Sequence, residues 1–192
     1  MVKNSIITDH NALNPKMQKV RHQPADFLIC YTMRILIYGY GNPGRQDDGI
    51  GARFTELIDQ WSAKENMPHI TTDCNYQLNI EDASVIADYD MVIFVDASVV
   101  EDIENFRMDT VKPDDASIEF TMHAVSVAYI VDLCNKIYNK TPKTYVLHIK
   151  AESFDFIEEL TPVAKQNMLA AAEFLKRFLE NIHETQKPRG RQ

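Results

Sequence analysis

Hydrophobic and polar positions along the chain follow two periods, and the switches between them mark out the elements. Ile35-Leu-Ile-Tyr38 is an apolar run with β-branched and aromatic side chains, the pattern of a strand buried on both faces. Gly39-Tyr-Gly41-Asn42-Pro43-Gly44 break that run, and Asp47-Asp48 follow at the mouth of the loop. From Ile50 the period becomes helical, with Ile50, Phe54, Leu57 and Trp61 on one stripe and an end expected near Ala63 to Asn66. Pro68 precedes a second strand, His69-Ile-Thr-Thr-Asp73. Asn79, with Asp82 three residues on, has the spacing of a capping box, and Ile80, Ala83, Ile86 and Ala87 are expected to face the core. Met91-Val-Ile-Phe-Val95 is the second strong apolar run, and it delivers Asp96 at its carboxyl end.

Phe106-Arg-Met-Asp-Thr110 alternates in polarity, as a half-buried strand does. Only about nine residues separate it from Asp96, too few for a parallel crossover, so it is expected to be antiparallel and near an edge. Pro113, Asp114 and Asp115 read as a turn, and Phe120-Thr-Met-His123 leads into a helix carrying Val127, Ile130, Val131 and Cys134. Thr144-Tyr-Val-Leu-His-Ile149 is the last strand. Thr161-Pro162 starts a final helix, Thr at the N-cap and Pro at the first turn, running to about His183 with Met168, Ala171, Leu175, Phe178 and Ile182 inward. The order is βαβαβ, one antiparallel strand, then αβα. It predicts a three-layer αβα sandwich around a mostly parallel, five-stranded twisted sheet with one antiparallel strand. Residues 1–32 show no clear period and are expected to be a loosely held extension, with Met33 as an alternative start. Residues 33–185 then form a single α/β domain and 186–192 a basic disordered tail.

Composition narrows the function classes. The chain has 192 residues, 45% hydrophobic and 25% charged, which fits one ordinary soluble domain. A net charge of −8 opposes tracking of a nucleic-acid backbone, so no nucleic-acid partner is expected. No apolar run approaches the ~20 residues of a membrane span, so no membrane partner is expected either. Cys30, Cys74 and Cys134 are widely spaced and form no CxxC pair. A cysteine zinc site and a disulfide framework are therefore not expected, and a reducing, cytoplasmic setting is.

Three candidate ligands fall at equivalent places: Asp48 after the first strand, Asp96 at the end of the third, and His123 before the helix that precedes the last. If the first and third strands are neighbours, as the order 2-1-3 would make them, their carboxyl ends form the crevice where open α/β sheets bind ligands. Two carboxylates and an imidazole there suit a divalent first-row metal with open positions for water or substrate; the residue types do not choose among Ni, Zn, Mn and Fe. Each residue also has a plain structural reading. Asp47-Asp48 can cap the helix and offset its dipole, Asp96 can form a turn, and a single His is often a satisfied structural one. Gly39-x-Gly41-x-x-Gly44 matches the dinucleotide fingerprint after a strand. Pro43 and the two carboxylates oppose that reading, because they stiffen the loop and repel a pyrophosphate.

These residues together resemble the [NiFe]-hydrogenase maturation endopeptidases. Gly39-Tyr-Gly41-Asn42 followed by Asp47-Asp48-Gly49-Ile-Gly51 is similar to the family's opening, and Val92-Ile-Phe-Val-Asp96-Ala97 to its second landmark. His123 fits the third, and Glu152-Ser153 with Leu160-Thr161-Pro162 the fourth. The resemblance spans about Met33 to His183 and does not include the leader. The stretch Tyr76-Gln-Leu-Asn-Ile-Glu81-Asp82 is similar to the branch serving cytoplasmic, cofactor-linked hydrogenases. The resemblance implies a phosphorylase/hydrolase-like fold and one cut near the carboxyl terminus of a hydrogenase large-subunit precursor after nickel insertion. It also implies that Asp48, Asp96 and His123 are both the catalytic residues and the contacts to Ni²⁺, which is carried by the substrate or bound transiently, with Zn²⁺ or Cd²⁺ as surrogates. Either nickel is read as a sign of correct loading, or it polarises the scissile carbonyl or activates water while Asp48 or Asp96 acts as base. A monomer is expected. A nickel-binding chaperone without protease activity is a second reading. Peptidyl-tRNA hydrolases share a Gly-Asn-Pro-Gly opening, but Gln46-Asp47-Asp48 stand where that family carries its catalytic His stretch.

Overall fold

The two strongest apolar runs become adjacent central strands, β1 (Ile35–Tyr40) and β3 (Met91–Ser98), in a computed structural model that describes residues 33–113 and 125–186. The sheet order is β2-β1-β3-β5-β4, with β2 at Ile70–Asn75, β4 at Phe106–Val111 and β5 at Lys143–Lys150. Four strands are parallel, and β4 pairs antiparallel with β5 at the edge, as its short link to β3 requires.

Strand alternation divides the core into two layers. Ile35, Ile37, Ile93, Val95 and Leu147 face α1 (Ile50–Lys64) and α4 (Pro162–Gln186). Leu36, Tyr38, Val92, Phe94 and Val146 face α2 (Asp82–Ile86) and α3 (Val127–Tyr138). Each fully buried side chain of this size contributes about 1.5–3 kcal/mol of apolar burial, so both faces of β1 and β3 hold the domain together.

Most expected core positions are buried, and the departures have local causes. Val127, Ile130, Val131 and Cys134 line the inner face of α3. In α1 the innermost stripe is Ile50, Phe54 and Ile58 with Gly51, Thr55 and Ser62, whereas Leu57 and Trp61 sit at its rim, partly buried. The small residues let this helix lie close to β1, and they define the contact face more than the large apolar ones do. Ile80 is exposed rather than inward, because α2 begins two residues later. Half of the expected capping box forms: the Asn79 N–H donates to Asp82 Oδ2 at 2.7 Å, while the Asn79 amide turns to the Gln77 carbonyl. Buried Asp82 also accepts from the Tyr38 hydroxyl at 2.9 Å, tying α2 to β1. Thr161 caps α4 as expected, its hydroxyl accepting from the Ala164 N–H at 3.2 Å. The leader 1–32, the Asp114–Asp115 turn, His123 and the basic tail from 187 lie outside the described residues. No described helix is long and apolar enough to cross a membrane.

Candidate functional site

The crevice opens where the central strands part. The β1–β3 ladder ends at Gly39 opposite Val95. Beyond it β1 continues only with β2, to Tyr40 opposite Asn75, while β3 continues only with β5, through Asp96 opposite His148 to Ser98 opposite Lys150. Asp96 therefore stands one residue past the split, at the switch point of the sheet.

Glycines bring the loop after β1 into this crevice. A Cβ on Gly39 would run into the Gly51 carbonyl oxygen, and a Cβ on Gly51 would lie 2.6 Å from the Tyr40 nitrogen. The end of β1 and the start of α1 thus touch backbone to backbone, which explains two glycines of the opening pattern by close approach. Gly41 has φ +128°, a conformation costly for any residue with a side chain, and there the chain turns over Asp48.

The neighbouring carboxylates Asp47 and Asp48 do different work. Asp47 is fully buried and accepts four hydrogen bonds: from the backbone N–H groups of Glu152 (2.9 Å), Ser153 (3.1 Å) and Thr161 (2.7 Å), and from the Thr161 hydroxyl (2.9 Å). It pins the loop after β5 and the start of α4 to the loop after β1. Asp48 is half-buried, and its Oδ2 accepts from the Asn42 N–H at 3.0 Å. The Gly44 N–H in turn goes to Asn42 Oδ1 at 2.9 Å. The loop spends these donors on its own side chains, and a carboxylate sits where a pyrophosphate would approach, so the dinucleotide motif has no room to act as one.

Asp48 and Asp96 lie close enough for one to alter the other. Burial, and then the Asp48 charge, push the Asp96 carboxyl from its ordinary 3.8 up to about 6, against hydrogen bonds from the Tyr40 hydroxyl and the Ala97 N–H that favour the anion. Tyr40 is held well above its ordinary value, chiefly by burial and then by Asp96, so it stays a hydroxyl donor. Two acids that resist joint ionisation in a half-buried crevice suit a site that awaits a cation or exchanges a proton. Among the described residues, no group of three or more His, Cys, Asp and Glu is placed to hold a metal ion. The third expected ligand, His123, is outside those residues, so the structure brings together two of the three.

Further polar side chains at this level were not singled out from the sequence. The registers set Asn75 beside Tyr40, and Asp96 beside His148 with Arg107 next, all on the α2–α3 face; Tyr40 and Asp96 each stand one residue past the Gly39–Val95 pair. The rows nearer the amino edge on the same face hold Tyr38, Phe94 and Val146, or Leu36 and Val92, packed in the core. His148 neighbours Asp96 in register, and its Nε2 lies 3.7 Å from Asp109 Oδ2. Burial holds the imidazole below its ordinary pKa, with Arg107 acting in the same direction and Asp109 against it. The available signal was parity: Tyr40 falls on the same face as Asp96 once β1 and β3 are aligned, and His148 interrupts the apolar run Tyr145–Ile149.

No protein-family model matches the sequence, and no curated protein matches it. Solved structures do. The hydrogenase maturating endopeptidase HybD from E. coli superposes with a TM-score of 0.63 at 21% identity, covering 78% of this chain and 93% of that one. The [NiFe] hydrogenase maturation protease HycI from Thermococcus kodakarensis gives 0.62 at 21% identity, over 77% and 93%. A hydrogenase 2 maturation peptidase from a Thaumarchaeota archaeon gives 0.57 at 22% identity, over 77% and 98%. The mixed five-stranded sheet with its antiparallel edge strand and helices on both faces is thus the fold of these hydrogenase maturation proteases.

Proposed function

We propose that this chain is a hydrogenase maturation protease, an endopeptidase that removes a carboxyl-terminal peptide from the [NiFe]-hydrogenase large-subunit precursor after nickel insertion. What supports this most is the meeting of Asp48 and Asp96 at the switch point, within a fold shared with proteins of that activity. The ordered landmarks Gly39-x-Gly41-Asn42, Asp47-Asp48, Asp96-Ala97 and Thr161-Pro162 agree with it, because each now has a place at the crevice or in its walls.

Nickel enters here as part of the substrate. Asp48 keeps Oδ2 on the Asn42 N–H, which fixes the carboxylate plane and leaves its other oxygen for the incoming metallocentre. Asp96, raised to about 6, is mostly ionised at neutral pH beside the Asp48 charge, and a cation between the two offsets their repulsion. A nickel-loaded precursor therefore meets two acids that it neutralises, and a nickel-free one meets two acids left facing each other. A difference of ~3 kcal/mol between those states discriminates about a hundredfold. Its raised pKa also suits Asp96 to act as general base for activating water at the scissile carbonyl, and the Tyr40 hydroxyl holds it in place. His123 is proposed as the third contact. The test mixes metal-free protein with nickel-loaded and nickel-free precursor and follows loss of the carboxyl-terminal peptide by mass. Cleavage confined to loaded precursor is expected; equal cleavage of both would remove nickel recognition from the reading. Nickel binding without cleavage of any precursor would favour a chaperone instead.

A further inference from the structure

We propose that the loops at the carboxyl edge of the sheet form a docking surface for a basic, apolar peptide segment of the partner. This deepens the proposed function by giving the chemistry of the substrate segment, and it rests on that reading for the partner's identity.

The apolar part of the surface flanks the crevice. Phe156 is 90% exposed, and Ile157, Val99 and Val100 are about half exposed, on the loops after β5 and β3. These side chains are displayed on tethered backbone. The Gln46 N–H donates to the Ile157 carbonyl at 2.6 Å, joining that loop to the one carrying Asp47 and Asp48. The Ala151 N–H donates to the Ser98 carbonyl at 2.8 Å, and the Lys150 ammonium to the Val100 carbonyl at 2.7 Å. Anchors held this way lose little freedom on binding, which favours affinity. Exposed apolar side chains on loops that flank a crevice are a usual mark of an interaction site.

Charge selects the occupant. Glu101, Glu104, Glu152, Glu158 and Glu159 are exposed on the same two loops, and none makes an ion pair with a described residue. Cations nearby are engaged: Arg45 over the Phe156 ring at 5.9 Å, Lys150 on the Val100 carbonyl, and Arg107 on Asp102 and Asp109. The opposite edge is mixed: Arg34, Lys64, Lys140 and Lys143 lie at the ends of elements there beside Glu65, Asp88 and Asp90, with Arg34 paired to Asp90. The acidity is thus local to the crevice edge and does not merely reflect the net charge of the chain. An acidic peptide or a nucleic acid would be repelled, and a second copy of this chain would bring the same carboxylates face to face. A segment with Lys or Arg beside Leu, Val or Phe satisfies both features, its cations also steering the encounter.

The test measures binding and not cleavage, so that it stands apart from the proposed reaction. Fluorescence anisotropy of the full chain is recorded with three synthetic peptides: a Lys/Leu peptide, the same peptide with Glu for Lys, and the same with Ser for Leu. The Lys/Leu peptide should bind at least about tenfold tighter than either control and weaken as salt rises. Phe156→Ser with Ile157→Ser, and separately Glu158→Lys with Glu159→Lys, should each lower that affinity about tenfold with the circular dichroism spectrum unchanged. Absence of binding, equal binding of the Lys and Glu peptides, or unchanged affinity in both double variants would overturn the proposal. If the Lys/Leu peptide binds as described and no precursor is cleaved, the docking surface stands and the protease reading fails. If precursor is cleaved and the variants alter neither binding nor KM, the reverse holds.

Discussion

Asp96→Asn should make the protein more stable, and only above a defined pH. The folded chain holds the Asp96 proton up to about 6, whereas an ordinary carboxyl releases it at 3.8. Between those values the folded state binds more protons than the unfolded state, so wild-type stability falls as pH rises through the window. The contribution is fully present below 3.8 and lost above about 6. Roughly two pKa units at about 1.4 kcal/mol each amount to ~3 kcal/mol. Asp96 is not fully sealed from solvent, which lowers the figure. Asn still accepts from the Tyr40 hydroxyl but without charge assistance, which costs up to ~1 kcal/mol. A net gain of about 2 kcal/mol well above pH 6 is expected, shrinking to nothing below pH 4. Urea unfolding followed by circular dichroism across this range measures it, and the difference between variant and wild type cancels the titrating groups that are not coupled to Asp96. Asp48→Asn should flatten the wild-type slope only in part, because burial and not Asp48 is the larger cause of the shift. A flat difference curve, or a variant less stable than wild type above pH 6, would refute a desolvated Asp96 beside Asp48.

Other perturbations separate the roles of residues that look alike in sequence. Asp47→Ala should destabilise by about 2–4 kcal/mol in urea titration, because it orphans three part-buried N–H donors and a hydroxyl, while Asp48→Ala should change stability little. Gly39→Ala should cost ~3 kcal/mol or prevent folding, read as a lowered melting temperature, since its methyl group meets the Gly51 carbonyl. Asp48→Asn, Asp96→Asn and His123→Ala should each abolish precursor processing in a gel-shift assay with circular dichroism unchanged; wild-type processing by any one would remove that residue from the site. Nickel-free precursor should stay uncut under conditions that process the loaded form.

The architecture was legible because both central strands are apolar without interruption and each is followed by a break and a carboxylate. Chain distance alone placed β4 antiparallel, since the link from β3 leaves no room for a crossover. The crevice was legible on one condition, that β1 and β3 are neighbours as the order 2-1-3 makes them, and the sheet meets it. The company of Asp96, with His148 and Arg107 beside it in register and the Tyr40 hydroxyl bonded to it, was not, because a residue's neighbours across a sheet depend on register, which no local pattern states. The innermost face of α1 was misjudged by one position along the helix, Ile58 replacing Leu57, because the pattern of large apolar residues ignores how closely Gly51 lets the helix approach. Ile80 was placed inward on a helix that had not yet begun.

The division of labour between Asp47 and Asp48 was also hidden, and its consequence reaches furthest. Adjacent residues in the short 3₁₀ turn at Gln46–Gly49 point different ways. Asp47 is sealed into the protein with every oxygen engaged, and Asp48 is left toward the crevice. The first carboxylate thereby fixes the position of the second relative to Asp96, since it binds the loop after β5 and the cap of α4 to the turn that carries both. It also fixes the loop that displays Phe156 and Ile157, so crevice and proposed docking surface share one anchor. If that is right, Asp47→Asn should lower processing of the precursor and binding of the Lys/Leu peptide together, although Asp47 contacts neither. An amide would leave one of its two oxygens' partners, the Glu152, Ser153 or Thr161 donors, facing an N–H₂ group, loosening the loop without removing either Asp48 or Phe156. Retained peptide affinity with lost processing in that variant would show that the two features are anchored independently.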